Sequence, residues 1–398
     1  MTKLSYPRPA AWLYYFIVVV FAIAFKLFFG VRIRRDPALR RIKGPLIVLG
    51  NHQCYLDPPI AGLAIYYRRL NSLASQNFFR KPVFRWVFNK VASIPKVQFR
   101  TDLQATKDMI RVIQGGGCLL IYPEGQRSLD GAQQNIDEAI AKLVKKMRCP
   151  VAVVHQQGGY LTWPRWSKSG VRFGRIDVKS SLLFSEADLA ELNLTEIQQR
   201  IEAALAFNDY DWQTKRHKPY HSRKPALGLH NLCHQCPACE RILAMESTSH
   251  DLTCRFCGNQ AHMDRYGMLN PVGEAKILPD PYRWHQWQLQ EMKKMLAQPE
   301  FLLEFPATAE LLHHDGTVAS ADSGIVRLQP AQITFSGNEL NLVLSLQHKI
   351  GISIKYGRSF EISQADQSYR FKLDQGQAVV LISDAILTSR VENVDNSI

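Results

Sequence analysis

Two side chains near the start of the chain have the types and spacing needed to activate a hydroxyl group. His52 and Asp57 are five positions apart and follow a short apolar run at Leu46–Gly50. An imidazole has a pKa near neutrality, so it can take the proton of an alcohol as that alcohol attacks a carbonyl carbon. A carboxylate bonded to the other ring nitrogen would fix the tautomer and stabilise the protonated ring. The pair therefore predicts general-base chemistry at the end of a strand.

Asp57 also has a structural interpretation. It precedes Pro58 and an apolar run, which is typical of a helix N-cap with proline in the first turn. A His-x4-Asp spacing by itself is weak support for catalysis. The two roles are compatible, because a capping carboxylate is also held in place.

A second polar segment, Tyr-Pro-Glu-Gly-Gln-Arg-Ser at residues 122–128, follows another predicted buried strand. Together the two segments resemble the glycerolphosphate acyltransferase superfamily, whose pattern joins Asn-His-x4-Asp to a later Phe-Pro-Glu-Gly-Thr-Arg-Ser. This chain has Tyr122 in place of the phenylalanine and Gln126 in place of the threonine. Neither change removes a charged or catalytic group.

The resemblance extends to two further blocks. Residues 94–100 are similar to the second block of the family, whose phosphate-binding arginine corresponds to Arg100. Residues 149–154 keep one proline of the fourth block, but Val153 stands where the family usually has another. The blocks follow the family order, and the chain is similar in particular to the lysophosphatidic acid acyltransferases (1-acyl-sn-glycerol-3-phosphate acyltransferases), in a bacterial subtype with a C-terminal zinc ribbon.

This resemblance implies a role for each matching residue. His52 would be the general base on the acceptor hydroxyl, with Asp57 as its partner. Guanidinium groups bind phosphate oxygens in bidentate fashion, and a glycine lets backbone amides approach an anion. The acceptor would be lysophosphatidic acid, the donor acyl-CoA or acyl carrier protein, and the product phosphatidic acid. The glycerol phosphate would be held by Arg100, Arg127 and the turn of Glu124 and Gly125.

The apolar pattern predicts the fold of this region. Short apolar runs suggest buried strands at 46–50, 119–122 and 151–154, and helical spacing occurs at 103–114 and 136–147. Such alternation is typical of an α/β domain with a largely parallel sheet. The resemblance implies the αβα sandwich of the glycerolphosphate acyltransferases.

A chain of 398 residues predicts several domains. After a helical stretch at 284–295, short β-prone runs separated by turns precede a terminal helix at 375–390, a pattern shared by pleckstrin-homology-like or GRAM-like modules and by many other small α+β domains. The predicted organisation is an N-terminal membrane anchor with its basic flank at 1–45, the catalytic domain at 46–210, a linker at 211–230, a zinc ribbon at 231–270 and a β-rich C-terminal domain at 284–398.

Five of the eight cysteines lie between residues 233 and 257. Two Cys-x2-Cys pairs with fourteen residues between them have the spacing of a zinc ribbon. Cys233 and His234 are alternative ligands, although using Cys233 would leave one cysteine surplus. Four thiolates leave no open position for water, so the metal would be structural. The predicted Zn²⁺ ligands are Cys236, Cys239, Cys254 and Cys257.

The net charge of +14, from 49 Lys+Arg against 35 Asp+Glu, favours anionic partners. Six cations between residues 32 and 43 follow an apolar run at 10–29, which as a helix would be about 30 Å long and just span a membrane. The positive-inside rule then leaves the body cytoplasmic. The resemblance to a bacterial subtype implies that the membrane is the inner membrane of a bacterium. A cleaved signal peptide is disfavoured by the length of the run and its arginine-rich flank. A spanning helix and an interfacial helix both remain open.

The segment 78–88 mixes aromatic side chains with cations. It could contact a membrane surface or an acyl chain, or it could be an ordinary amphipathic helix packed on the core. Pro82 prevents a clean count of its periodicity.

Other functions compete with this prediction. The same chemistry could acylate another lysophospholipid, an alcohol or an amine-containing lipid. A non-catalytic membrane scaffold would need neither His52 nor Asp57. A nucleic-acid-binding ribbon would need clustered cations and stacking aromatics, which the ribbon hardly supplies, so nucleic acid is an unlikely partner.

Overall fold

The computed structural model describes residues 5–97, 102–313, 316–346, 351–364 and 367–395. The chain forms two compact units. The first comprises Met1–Arg165 and Val171–His221, and the second comprises Trp166–Gly170 and Ser222–Ile398.

The helices and strands of the first unit alternate along the chain. In order they are α1 Ala11–Phe28, β1 Arg32–Arg35, β2 Leu46–Gly50, α2 Asp57–Ala64, β3 Leu70–Ser75, α3 Pro82–Lys90, β4 Ile94–Lys96, α4 Leu103–Gln114, β5 Cys118–Ile121, α5 Ala139–Met147, β6 Val151–Gln157, α6 Gly159–Thr162, β7 Asp177–Phe184, α7 Glu186–Glu191, α8 Leu194–Leu205 and α9 Asp209–Arg216.

These strands form one seven-stranded sheet in the order β1-β7-β6-β2-β5-β3-β4. All neighbouring pairs are parallel except β6 and β7, which are antiparallel. The prediction of an α/β domain with a largely parallel sheet is therefore confirmed. Parallel strands are buried on both faces, which explains why β2 is a continuous apolar run without alternation.

The two faces of the sheet carry separate cores. Ile47 and Leu49 of β2 point into one hydrophobic cluster, whereas Leu46 and Val48 point into the other. This alternation is the period of two expected of a strand. Helices cover both faces, so the segments that leave the strand ends are positioned by rigid elements.

Local sequence signals set the helix ends. The predicted helix 103–114 is found with those bounds, because Asp102 accepts a hydrogen bond from Ala105 N at its start and Gly115 follows its last turn. The helix predicted at 136–147 begins three residues later, at Ala139. Ile136 is buried in the core outside the helix, and Asp137 accepts a hydrogen bond from Ala139 N.

Helix α1 is the one helix, among the described residues, that is long and apolar enough to cross a membrane. Tyr14, Val18 and Phe25 pack into the same cluster as α2. The opposite side of α1 is exposed, as shown by Trp12 and Phe16, each with 63% of its surface accessible. The helix is therefore attached to the first unit along one side and apolar on the other.

Helix α3 has no buried residue. Val83, Phe84 and Trp86 are all exposed, and the Trp86 ring lies 6.3 Å from that of Trp12 on α1. The interpretation of this segment as an amphipathic helix packed on the core is therefore wrong. Its apolar side chains continue the exposed surface of α1.

The second unit contains two antiparallel sheets and two long helices. Its elements are β8 Met245–Ser247, β9 Asp251–Cys254, β10 Gln260–Met263, β11 Leu269–Pro271, α10 Pro281–Leu296, β12 Leu303–Leu312, β13 Val318–Leu328, β14 Gln332–Gly337, β15 Asn341–Ser345, β16 Ile352–Lys355, β17 Ser359–Gln364, β18 Gln367–Leu373 and α11 Ala378–Asp395.

The small sheet has the order β11-β10-β9-β8, and the large one has the order β15-β14-β13-β12-β18-β17-β16. A buried polar group joins α10 and α11 to the loop before β8. Asp384 accepts from His285 Nε2 at 2.8 Å and lies 3.3 Å from His234 Nε2. Burial raises the pKa of Asp384, but the two histidines outweigh it and the net shift is downward. The carboxylate therefore remains charged and ties the helices to the loop.

Gly174 provides a test of packing in the first unit. A Cβ atom at Gly174 would lie 2.2 Å from the ring of the buried Tyr220, whereas a Cβ at its hydrogen-bonded neighbour Gly30 would meet nothing closer than 3.6 Å. We expect Gly174→Ala to lower the free energy of unfolding by about 1–3 kcal/mol through overpacking. Gly30→Ala should change it little. Thermal unfolding in detergent compares the two variants, and equal midpoints would contradict the packing described.

Candidate active site

The polar segments meet at one edge of the sheet. Strand β2 pairs with β5 through Leu49 and Ile121, and with β6 through Gly50 and Val154. All three strands are parallel, so the segments that follow them leave the sheet at the same edge. This is the position where open α/β sheets hold their ligands.

His52 and Asp57 form a hydrogen-bonded pair. The distance between His52 Nδ1 and Asp57 Oδ2 is 2.6 Å. The imidazole keeps 20% of its surface exposed, whereas the carboxylate is buried. Because Nδ1 faces the carboxylate, Nε2 is the nitrogen left for a proton from another molecule.

The role of Asp57 as a helix cap is wrong. The residue at the cap position of α2 is Leu56, and no side chain caps the helix. The Asp57 carboxylate turns back to the preceding loop, where it accepts from Gln53 N at 2.6 Å and from Cys54 N at 2.9 Å. These two amides hold the carboxylate in place behind the imidazole.

The second segment is bonded directly to the first. Glu124 Oε1 accepts from His52 N at 2.8 Å, and Glu124 Oε2 accepts from Gln134 N at 3.0 Å. On the other side of the same residue, His52 O accepts from Ser128 N at 2.8 Å. The backbone of the histidine is therefore held at both its donor and its acceptor by the segment 122–134.

Burial controls the protonation of these groups. It lowers the pKa of His52 below its usual value, which the bond to Asp57 opposes and the charges of Arg127 and Arg165 reinforce. The imidazole is therefore neutral near physiological pH, as a general base must be. Burial also raises the pKa of Glu124 to about 8, although the amides of Gln134 and His52 lower it.

Two arginines stand beside this pair. Arg127 lies 3.6 Å from the centroid of the Tyr55 ring, and Tyr55 packs edge-on against Trp163 at 5.2 Å. Arg165 donates from Nη1 to Arg127 O at 2.8 Å. Sequence reasoning missed Arg165, although its position shortly after the end of β6 was a signal that it reaches the same edge.

Two glycines shape the site for different reasons. Gly125 has a φ of 70°, and no atom of the described residues lies within 4 Å of its Cβ position, so the turn needs its conformation. At Gly50 a Cβ would lie 2.7 Å from the Tyr122 ring, so that position needs its small size. The Tyr122 ring in turn stacks on His52, with centroids 4.4 Å apart.

The structure brings most of the predicted site residues together at this edge. His52, Asp57, Glu124, Gly125 and Arg127 all lie on the two connected segments. Arg100 lies outside the described residues.

The four predicted metal ligands converge in the second unit. The Sγ atoms of Cys236, Cys239, Cys254 and Cys257 all lie within 4.8 Å of one another. The separations of Cys236 from Cys257 and of Cys239 from Cys254 are both 3.7 Å. A tetrahedral Zn²⁺ with bonds of about 2.3 Å separates its sulfur ligands by about 3.8 Å, so the donor set fits such an ion.

Part of the chain is similar in sequence to known acyltransferases. Residues 30–155 match the family model described as Acyltransferase. The chloroplastic 1-acyl-sn-glycerol-3-phosphate acyltransferase of Brassica napus is 24% identical over 149 residues, which are 36% of this chain and 43% of that protein. The corresponding chloroplastic enzyme of Arabidopsis thaliana is 21% identical over 168 residues, or 42% and 47% of the two chains. The chain thus spans less than half the length of the curated relatives it matches.

Among solved structures, the 1-acyl-sn-glycerophosphate acyltransferase of Thermotoga maritima aligns with 51% of this chain and 79% of its own. The identity is 19% and the TM-score is 0.43. In sequence, residues 30–155 of this chain are thus similar to the acyltransferase family, and the chain is homologous over part of its length to 1-acyl-sn-glycerol-3-phosphate acyltransferases.

Proposed function

We propose that this chain is a membrane-associated enzyme of phospholipid biosynthesis. It transfers a fatty acyl group from acyl-CoA or acyl carrier protein to the free hydroxyl of lysophosphatidic acid, which gives phosphatidic acid. The observation that carries the proposal is the His52–Asp57 hydrogen bond, in a loop bonded directly to Glu124. The names of the curated relatives support the same reaction.

The geometry suits a direct transfer without a covalent enzyme intermediate. The acceptor hydroxyl gives its proton to His52 Nε2 while its oxygen attacks the thioester carbonyl carbon. The tetrahedral intermediate then expels the thiolate, which takes the proton from the imidazolium. Throughout, the Asp57 carboxylate stabilises the protonated ring through Nδ1.

The phosphate of the acceptor would be bound by Arg127 and Arg165, whose charges already act on His52. The resemblance to the family pattern implies the same role for Arg100. Glu124 contributes in another way, since both of its oxygens accept hydrogen bonds from backbone amides of the site. Its part is to hold the turn at Gly125, which is closed by the hydrogen bond from Gly125 N to Tyr122 O at 3.0 Å and needs the positive φ of a glycine.

Helices α1 and α3 would attach the enzyme to the cytoplasmic face of a bacterial inner membrane. The exposed apolar side of α1 continues through Trp86 and Val83 of α3, and the cations Arg80, Lys81 and Arg85 lie on the same segment. Aromatic and basic side chains together are typical of a surface that binds anionic lipid.

The second unit would contain a structural zinc ribbon. Its four thiolates occupy every position of a tetrahedral ion, so the metal would stabilise the loops before β8 and after β9 and take no part in catalysis.

Removal of His52 tests the reaction. We expect His52→Ala to lower the rate of acyl transfer to lysophosphatidate by at least about 10² to 10⁴, the range for loss of a positioned general base. The assay uses vesicles with acyl-CoA and with acyl carrier protein as donors, and other lysophospholipids as alternative acceptors. His155→Ala, a histidine of β6 outside the site, is the control. Near-normal activity of His52→Ala would exclude the mechanism.

The pH profile tests the electrostatics of the site. Removing a nearby cation should raise the pKa of His52, because Arg127 and Arg165 both lower it. Since the neutral imidazole is the active form, the acid limb of kcat/KM should move to higher pH in Arg127→Gln and Arg165→Gln. Arg200→Gln on the exposed side of α8 should leave the limb in place. If the acid limb stays in place in both site variants, the charges of these arginines do not lower the pKa of His52.

Metal analysis tests the ribbon. The purified chain should contain about one zinc per molecule, and Cys239→Ser should release it and lower the unfolding temperature. Cys149→Ser, which removes a buried thiol of the first unit, should retain the metal. Unchanged zinc content in Cys239→Ser would eliminate Cys239 as a ligand.

A further inference from the structure

One side chain that no motif includes contacts the carboxylate of the proposed catalytic pair. Gln156 lies near the end of β6 and is 2% exposed. Its Nε2 donates a hydrogen bond to Asp57 Oδ1. This is the carboxylate oxygen that does not face His52, because the imidazole is bonded to Oδ2. The glutamine therefore holds the carboxylate on the side opposite the imidazole.

The backbone of Gln156 is fixed by the residue before the histidine. Asn51 Nδ2 donates to Gln156 O at 2.8 Å, and Gln156 N donates to Asn51 Oδ1 at the same distance. Strand β2 ends at Gly50, so it no longer pairs with β6 at Gln156. The Asn51 side chain bonds to the backbone N and O of Gln156 in place of a neighbouring strand. This reciprocal pair locks the glutamine to the loop that carries His52.

The Gln53 side chain provides a second set of hydrogen bonds that hold the same loop. Gln53 Nε2 donates to Gln156 O at 3.2 Å and to Asp209 Oδ1 at 2.9 Å, while Gln53 Oε1 accepts from Gly159 N. Asp209 also accepts from Gly158 N and Tyr160 N. Burial raises the pKa of Asp209 to about 7. The polar groups around Asp57 therefore form one buried network that extends to the start of α9.

The hydrogen bond from Nε2 to Asp57 sets the orientation of the Gln156 amide. Among the described residues its Oε1 is buried without a hydrogen-bond partner. A flip of the amide would place Oε1 against the Asp57 oxygen, which accepts and cannot donate. The buried oxygen costs free energy, which the bond from Nε2 to a carboxylate offsets. A glutamine with this arrangement is poorly explained by stability alone.

We propose that Gln156 is a positioning residue for the reaction proposed above, on which this inference rests. Oδ1 also accepts hydrogen bonds from Cys54 N at 3.0 Å and Cys54 Sγ at 3.2 Å, both from the loop side. The Gln156 amide is the donor from β6, and it opposes rotation of the carboxylate and keeps Oδ2 in line with His52 Nδ1. The need is greatest in the transition state, when the imidazole becomes charged and the Asp57 bond must strengthen. Gln156 touches no substrate and acts through Asp57.

The first experiment replaces the amide by an apolar side chain of similar length. Gln156→Met should lower kcat by about 10- to 100-fold and change KM for lysophosphatidate by less than about twofold, because the lost bond matters mainly in the transition state. The matched control is Gln157→Met, the next residue of β6, whose side chain points to the other face of the sheet. The control should keep near-normal kcat. A kcat of Gln156→Met within twofold of the wild type would overturn the proposal.

A second variant provides a signature that a packing role would not give. In Gln156→Glu the new carboxyl can donate to Asp57 Oδ1 while it is protonated and repels it once ionised. The activity of Gln156→Glu relative to the wild type should therefore fall as pH rises through the pKa of the new group, whereas the ratio for Gln156→Met should stay flat. A flat ratio for Gln156→Glu would refute the proposal even if Gln156→Met does not fold.

His52→Ala, assayed in parallel, separates this inference from the proposed function. If His52→Ala remains active, the reaction mechanism fails and the positioning role fails with it. If His52→Ala is inactive while Gln156→Met retains the wild-type kcat, only the role of Gln156 is overturned.

Discussion

The architecture of the candidate site depends on burying the charge of Asp57. A carboxylate that is 2% exposed needs several donors, and Asp57 obtains them from the His52 ring, two loop amides, the Cys54 thiol and Gln156. These donors come from the loop that follows β2 and from β6, which are far apart in sequence. The sheet order, in which β2 lies between β5 and β6, is what brings them within reach. The carboxylate in turn holds the loop in place, so the hydrogen bonds that satisfy Asp57 in the fold also orient the His52 ring.

Residues 122–134 supply the other half of this constraint. Glu124 bonds to the backbone of His52, and His52 bonds back to Ser128, so neither segment can move without the other. Family resemblance assigns the Glu124 turn to phosphate binding. In this chain the carboxylate is occupied by protein amides, which leaves the positive charge of Arg127 and Arg165 as the feature suited to an anion.

Much of the first unit could be predicted from sequence, because continuous apolar runs such as Leu46–Gly50 are typical of parallel strands that are buried on both faces. The pairing of His52 with Asp57 was also accessible, since only five positions separate the loop residue His52 from Asp57 at the start of α2. The contacts of Gln156 and Arg165 were not accessible, because they depend on strand order: Gln156 is 99 residues from Asp57 along the chain, and Arg165 is 38 residues from Arg127. Whether α3 is buried or exposed could not be predicted, because Pro82 prevents a count of its hydrophobic periodicity. Its exposure also depends on whether other segments of the chain pack on it.

The contact between Gly50 and Tyr122 has a consequence for variation. The tyrosine ring fills the volume that any side chain at position 50 would need, and it supports the face of His52. Substitutions at the two positions should therefore be coupled. A library that randomises residue 50 alone would recover glycine, whereas one that also allows a small residue at 122 could recover alanine, at the expense of the stacking surface beneath the imidazole.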